Sequence, residues 1–178
     1  MPKMYLPKKL RLFREPKRFK IAIGGRGSGK SMTFADLCLV DAQMKGIHTL
    51  CFREYQNSID DSVHSLLKAE IERLGLQGFS VQKNAILFNN DPVFKFKGLA
   101  RDPEAVKSSH GFQRFWVEEA QTISFDSLKA LTPTLREEGS EIWFSANPRS
   151  SVDAFSQRFI KPFEKELARN GYYEDEDH

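Results

Sequence analysis

The stretch IAIGGRGSGKSMTF, residues 21–34, restricts what this 178-residue chain can fold into more than any other segment. An apolar run enters a glycine cluster that ends in Gly29-Lys30-Ser31, where a helical pattern begins. Gly24, four intervening residues and then Gly29, Lys30 and Ser31 fit GxxxxGK[ST], the phosphate-binding P-loop, a motif that requires a strand before it and a helix after it. Gly24, Gly25, Gly27 and Gly29 lack the Cβ atoms that would stop backbone N–H groups from turning inward toward one anion. A helix over residues 31–44 would aim its unpaired N–H groups and its dipole at the same phosphate. Lys30 is then expected to reach the β and γ phosphates of a nucleotide. Ser31 is expected to ligate Mg²⁺, a hard ion that prefers oxygen.

The rest of the chain reads as α/β, with a mainly parallel sheet flanked by helices, because short apolar runs alternate with helical periods. Strands are expected over residues 18–23 and, as TLCFR, over 49–53. Asp60 or Asp61 can cap a helix whose Val63, Leu66, Leu67, Ile71 and Leu74 form one apolar face, with Gly75 as its stop. Residues 79–97 alternate, most clearly in VFKFK, around the turn residues Asn89-Asn90-Asp91-Pro92, which predicts an inserted antiparallel hairpin. Further strands are expected at 115–117 and 141–145. A last helix would put Phe155, Phe159, Phe163 and Leu167 on one face and end near Gly171. The pattern gives one domain over residues 18–178, behind a basic arm over residues 1–20, with no internal repeat and no linker.

Composition excludes several classes. No run of about 18 apolar residues is present to span a membrane, and no apolar segment precedes a signal-cleavage site. Cys38 and Cys51 lack CxxC spacing and read as buried, reduced thiols of an intracellular protein. His48, His64, His110 and His178 are too scattered for a metal cluster. Charge is uneven: residues 1–20 hold eight Lys/Arg against Glu15, a net +7, so the remainder carries −4 of the total +3. Such an arm suits nucleic-acid phosphate or an acidic partner surface, or else a frayed, solvated end. The acidic run 174–177 reads as solvated.

Hydrolysis of a nucleotide needs an acid for the magnesium shell and a base for water. FWVEEA, residues 115–120, supplies an apolar strand ending in Glu118 and Glu119. Adjacent strand residues point to opposite sides, so both carboxylates serve one site only if the chain turns directly after the strand. Such a turn is expected at the carboxyl end of a parallel strand, where α/β sheets place ligands. Glu118 would act on the Mg²⁺ shell and Glu119 on the attacking water. Ser145-Ala146-Asn147-Pro148 closes another apolar strand; its Ser145 and Asn147 side chains can approach a γ-phosphate, although Asn-Pro is also an ordinary chain breaker.

The series GGRGSGKS, FREYQNSI, FWVEEA and SANP, in this order and at these intervals, resembles the ATPase domain of the large terminase subunit of tailed bacteriophages over nearly the whole chain. The resemblance implies an additional-strand P-loop NTPase fold and an ATP-driven motor that moves double-stranded DNA into a procapsid. It implies a Mg²⁺-dependent ATPase that converts ATP and water to ADP and phosphate. It also implies a portal protein and a small terminase subunit as partners, a homo-oligomeric ring when assembled with a monomer as the alternative in isolation, and a place at the procapsid portal in the host cytoplasm. Carried over by position, Gly24, Gly25, Arg26, Gly27, Ser28, Gly29, Lys30 and Ser31 bind the nucleotide, with Arg26 sensing the γ-phosphate. Ser31 and Glu118 hold the metal, Glu119 is the catalytic carboxylate, and Ser145 to Asn147 form a coupling segment. Glu118 departs from the Asp of many members and leaves direct or water-mediated metal contact open. The family's C-terminal nuclease domain has no counterpart in these residues, so the sequence reads either as an ATPase domain excised from it, the favoured reading, or as a natural chain that carries the ATPase alone. An arginine acting in trans is sought among Arg101, Lys107 and Arg114; Arg53 and the rest of FREYQNSI receive no chemical task. The P-loop by itself also fits a small-molecule kinase or a nucleotide-dependent switch.

Overall fold

The structure, a computed structural model, describes residues 4, 6–55, 63–100, 106 and 110–178. The candidate caps Asp60 and Asp61, the end of FREYQNSI, and the trans candidates Arg101 and Lys107 lie outside the described residues. Among those residues the chain opens with a 3-10 helix, Lys8–Arg14. It continues through β1 (Phe19–Ile23), α1 (Lys30–Lys45), β2 (Thr49–Arg53), α2 (Ser65–Leu74), β3 (Phe79–Gln82), β4 (Ala85–Phe88) and β5 (Asp91–Gly98). Then follow β6 (Arg114–Glu118), α3 (Phe125–Leu131), β7 (Glu141–Ala146), α4 (Ala154–Phe159) and α5 (Glu164–Asn170).

One seven-stranded sheet has the order β1-β7-β6-β2-β5-β4-β3. Every neighbouring pair from β1 to β5 is parallel, and β5-β4-β3 are antiparallel. β7 thus separates the P-loop strand β1 from the Glu-Glu strand β6, which is the additional-strand arrangement. β2, β6 and β7 are continuous apolar runs because helices cover both of their faces. Alternation divides their side chains between two cores. Cys51, Trp116 and Trp143 pack with Phe34, Cys38 and Leu67 on the side of α1 and α2. Leu50, Phe52, Phe115, Val117 and Phe144 pack with Leu128, Phe155 and Phe159 on the side of α3 and α4. Arg73 of α2 ties the two helices of the first face together by an ion pair to the buried Asp36 of α1 at 2.6 Å.

Two expectations are corrected. The hairpin over 79–97 is a three-stranded meander. Asn89 and Asn90, both at positive φ, form its second turn, while the first falls at Lys83-Asn84, and β5 belongs to the parallel sheet through β2. The last helix is interrupted: α4 ends at Phe159, Lys161–Phe163 forms a single 3-10 turn, and α5 follows. Pro162 has no N–H to continue the ladder, and its ring collides with the turn before it. The acidic run 174–177 keeps Glu174, Glu176 and Asp177 exposed, as expected, while Phe19 and Lys17 hold the segment in place. Phe19 N–H donates to the Asp177 carbonyl at 2.7 Å, Lys17 lies 3.4 Å from Glu174, and the Lys17 ammonium also donates to the Asp175 carbonyl.

Candidate active site

β1 delivers the glycine loop to the carboxyl edge of the sheet, where the Gly24 N–H donates to Ala146 at the end of β7 at 3.2 Å. Gly27 and Gly29 stand at φ 73° and 80°, in the left-handed region that a side chain strains. α1 begins at Lys30 directly after Gly29, so the first turn of the helix is continuous with the loop. The Lys30 ammonium donates to the Gly24 and Gly25 carbonyls at 2.8 and 2.9 Å and to Ser28 Oγ at 2.9 Å. It sits within the curve of the loop. Burial lowers its pKa from the ordinary lysine value, and the charge of Glu118 opposes that shift. Arg26 is exposed at the crest of the loop.

Glu118 ends β6 beside β7, in register with Ser145. Ser31 Oγ donates to Glu118 Oε1 at 2.8 Å, and Ser145 Oγ donates to Glu118 Oε2. Burial raises the Glu118 pKa, while the hydrogen bonds from Ser145 and Ser31 and the nearby charge of Arg53 pull it back. The expectation that Ser145 faces a phosphate is therefore revised. Its hydroxyl is buried between Glu118 and the Trp116 indole N–H, which donates to it at 2.9 Å, so it supports the carboxylate instead. Asn147 is held through its backbone, whose N–H donates to Gln121 Oε1 at 2.9 Å.

Glu119 adopts φ 54° and ψ 43°. A non-glycine residue in this left-handed region carries strain, and such strain gathers at functional sites. The conformation supplies the turn that two adjacent carboxylates require, and a 3-10 turn, Ala120–Thr122, follows at once. Half exposed, Glu119 receives Arg53 Nη2 on Oε1 at 2.6 Å. Arg53 ends β2, the neighbour of β6, so sheet order alone brings the two together. Sequence reasoning left Arg53 and Gln121 without roles, since a run such as TLCFR does not disclose which strand lies beside it.

Arg114 is not available to a neighbouring subunit. At 5% exposure it lies under the sheet, its Nη2 2.7 Å from Asp41 and 3.2 Å from Glu141, its guanidinium 3.9 Å from the centre of the Trp143 ring.

The site thus joins a loop suited to phosphate with a hydroxyl and a carboxylate in contact. Such hard oxygen donors fit Mg²⁺, which binds through one or two protein oxygens and completes its shell with water and phosphate. A family model described as phage terminase large subunit matches residues 16–177. The PBSX phage terminase large subunit of Bacillus subtilis (strain 168) is 28% identical over 128 residues, which is 70% of this chain and 29% of that protein. The chain therefore spans less than a third of this relative's length. Among solved structures, the N-terminal domain of the DNA packaging ATPase from bacteriophage phi29 superposes with a TM-score of 0.69 at 16% identity, over 87% of this chain and 84% of that one. The large terminase of a thermophilic bacteriophage gives 0.66 at 15% identity, over 84% of this chain and 38% of that one. These two likenesses establish the fold, and the family match covers nearly the full sequence. The chain belongs to the phage terminase large subunit family.

Proposed function

We propose that this chain is the ATP-hydrolysing part of a packaging motor that drives double-stranded DNA into a procapsid. The observation that carries the reading is the contact between the P-loop hydroxyl of Ser31 and the Glu118 carboxylate at 2.8 Å, with Glu119 turned out beside it. Structures similar in fold include a DNA packaging ATPase and a viral genome packaging motor assembly of phi29, which supports the same direction. Loop N–H groups and the start of α1 hold the phosphates, and Lys30 and Arg26 add positive charge over the β and γ positions. Ser31 and Glu118 would hold Mg²⁺, which when bound would neutralise charge that develops on the phosphates. Ser145 and Trp116 fix Glu118, and Glu119 orients water for attack on the γ-phosphorus. Portal protein, small terminase subunit and further copies of the chain in a ring complete the motor at the procapsid portal in the host cytoplasm.

The test is phosphate release from ATP in the presence of Mg²⁺ and without any acceptor. Parent protein should release phosphate, and Lys30→Ala should lose nucleotide binding and release together. Transfer that occurs only when a small-molecule acceptor is added, or tight binding with no turnover, would contradict the proposal.

A further inference from the structure

The positive charge of the N-terminal arm is not uniform in its engagement. Lys20 pairs with Glu141 at 2.8 Å, Lys17 contacts the C-terminal segment, and Arg18 donates to Ser140 Oγ and the Leu135 carbonyl, each at 2.7 Å. These three cations hold the fold together. Lys8, Lys9, Arg11 and Arg14 are exposed, and among the described residues none takes part in an ion pair, the only polar contact being Arg11 Nε donating to the Leu6 carbonyl at 3.4 Å. All four lie in the 3-10 helix Lys8–Arg14.

A 3-10 helix has three residues per turn, so residues three apart eclipse each other along one edge. Exposure follows that period: Leu10 and Phe13 are half-buried, while Lys8, Arg11 and Arg14 line the opposite, exposed edge. At a rise of about 2 Å per residue, the three cations stand roughly 6 Å apart along the axis and span about 12 Å. One strand of duplex DNA presents a charge for about every 3.4 Å of helix axis, so that span offers a phosphate to each cation. The inner edge anchors the row. Phe13 meets the P-loop-helix residue Phe34 edge to face, ring centres 5.0 Å apart, and the Phe13 carbonyl accepts from Lys20 at 3.0 Å.

We propose that Lys8, Arg11 and Arg14, with Lys9 beside them, form a contact surface for the phosphate backbone of duplex DNA, fastened to the helix that follows the P-loop. The proposal rests on the reading above that duplex DNA is the motor's cargo. Lys8, Arg11 and Arg14 make a row of like charges at regular intervals, with a single exposed apolar side chain, Leu12, on the neighbouring edge beside Lys9; this fits a polyanion of regular charge better than a folded acidic protein, whose interface core would seek wider apolar burial.

The experiment measures affinity of the 178-residue chain for a short duplex of arbitrary sequence over a series of salt concentrations. Each single change, Lys8→Gln, Arg11→Gln or Arg14→Gln, should lower the slope of log affinity against log salt by about 0.9, and the triple variant by about 2.7. Charge-conserving Lys8→Arg, Arg11→Lys and Arg14→Lys should keep the parent slope, which separates lost charge from a disturbed helix. Phosphate release from ATP should be unchanged in the Arg11 and Arg14 variants, since neither residue lines the cavity that reaches Ser28 and Lys30 of the P-loop. Parent slopes in the Gln variants, no duplex binding by the parent at low salt, or competition by polyglutamate as effective as by duplex would each overturn the proposal. Absence of ATP hydrolysis alongside the expected slopes would instead overturn the motor reading and leave this surface standing.

Discussion

At the scale of single residues, the site depends on how Glu119 is held. Its left-handed backbone fixes where the side chain starts, and the 2.6 Å pair with Arg53 fixes where it ends. Without that partner a half-exposed carboxylate samples several rotamers and is less often aligned with water. Arg53→Gln should therefore lower kcat by about tenfold or more while leaving nucleotide affinity near the parent value, since Arg53 positions the base. Parent-like kcat would remove Arg53 from the mechanism. The P-loop and Glu118 were legible because their chemistry is written in consecutive residues, GGRGSGKS and FWVEEA. Arg53 was not, because its partner is set by β2 lying against β6, and neither strand's sequence carries that information. Ser145 was legible as a site residue but not in its orientation, which depends on Trp116 and Glu118 across the strand pair.

At the scale of elements, the parallel strands were readable because each is a short apolar run, buried on both faces. The meander was read as one hairpin because Lys83-Asn84 carries no glycine or proline to mark its first turn. The final helix looked continuous because Phe155, Phe159, Phe163 and Leu167 keep a spacing of four through Pro162. Arg114 illustrates a charge whose role belongs to the elements it joins. Starting β6, it links Asp41 of α1 to Glu141 of β7 beneath the Trp143 ring. Truncation removes the cation that Asp41 and Glu141 share and leaves them Lys45 and Lys20 as their remaining partners, so Arg114→Ala should cost about 1–3 kcal/mol and lower the thermal unfolding midpoint. A variant with parent-like stability and a specific loss of activity, restored by mixing with a chain lacking Glu119, would return Arg114 to the list of trans-acting groups.

At the scale of the whole molecule, the C-terminal segment returns to the free edge of β1, where Phe19 bonds Asp177 and Lys17 meets Glu174. Part of the +7 charge of residues 1–20 is thereby engaged inside the fold, while Lys8, Arg11 and Arg14 lie along one exposed helix edge. Charge counting could not divide the two, since the division depends on Glu141 and Ser140 arriving from the far end of the sequence. The carboxyl edge of the sheet gathers the P-loop, Glu118, Glu119 and Arg53 from three different segments. The central claim is that this edge hydrolyses ATP with Glu119 acting on water, and Glu119→Gln tests it most directly because it keeps the size of the side chain and leaves the phosphate cradle intact. Phosphate release should fall by about 10² to 10⁴ while nucleotide affinity is retained. Hydrolysis at the parent rate by Glu119→Gln would contradict the account.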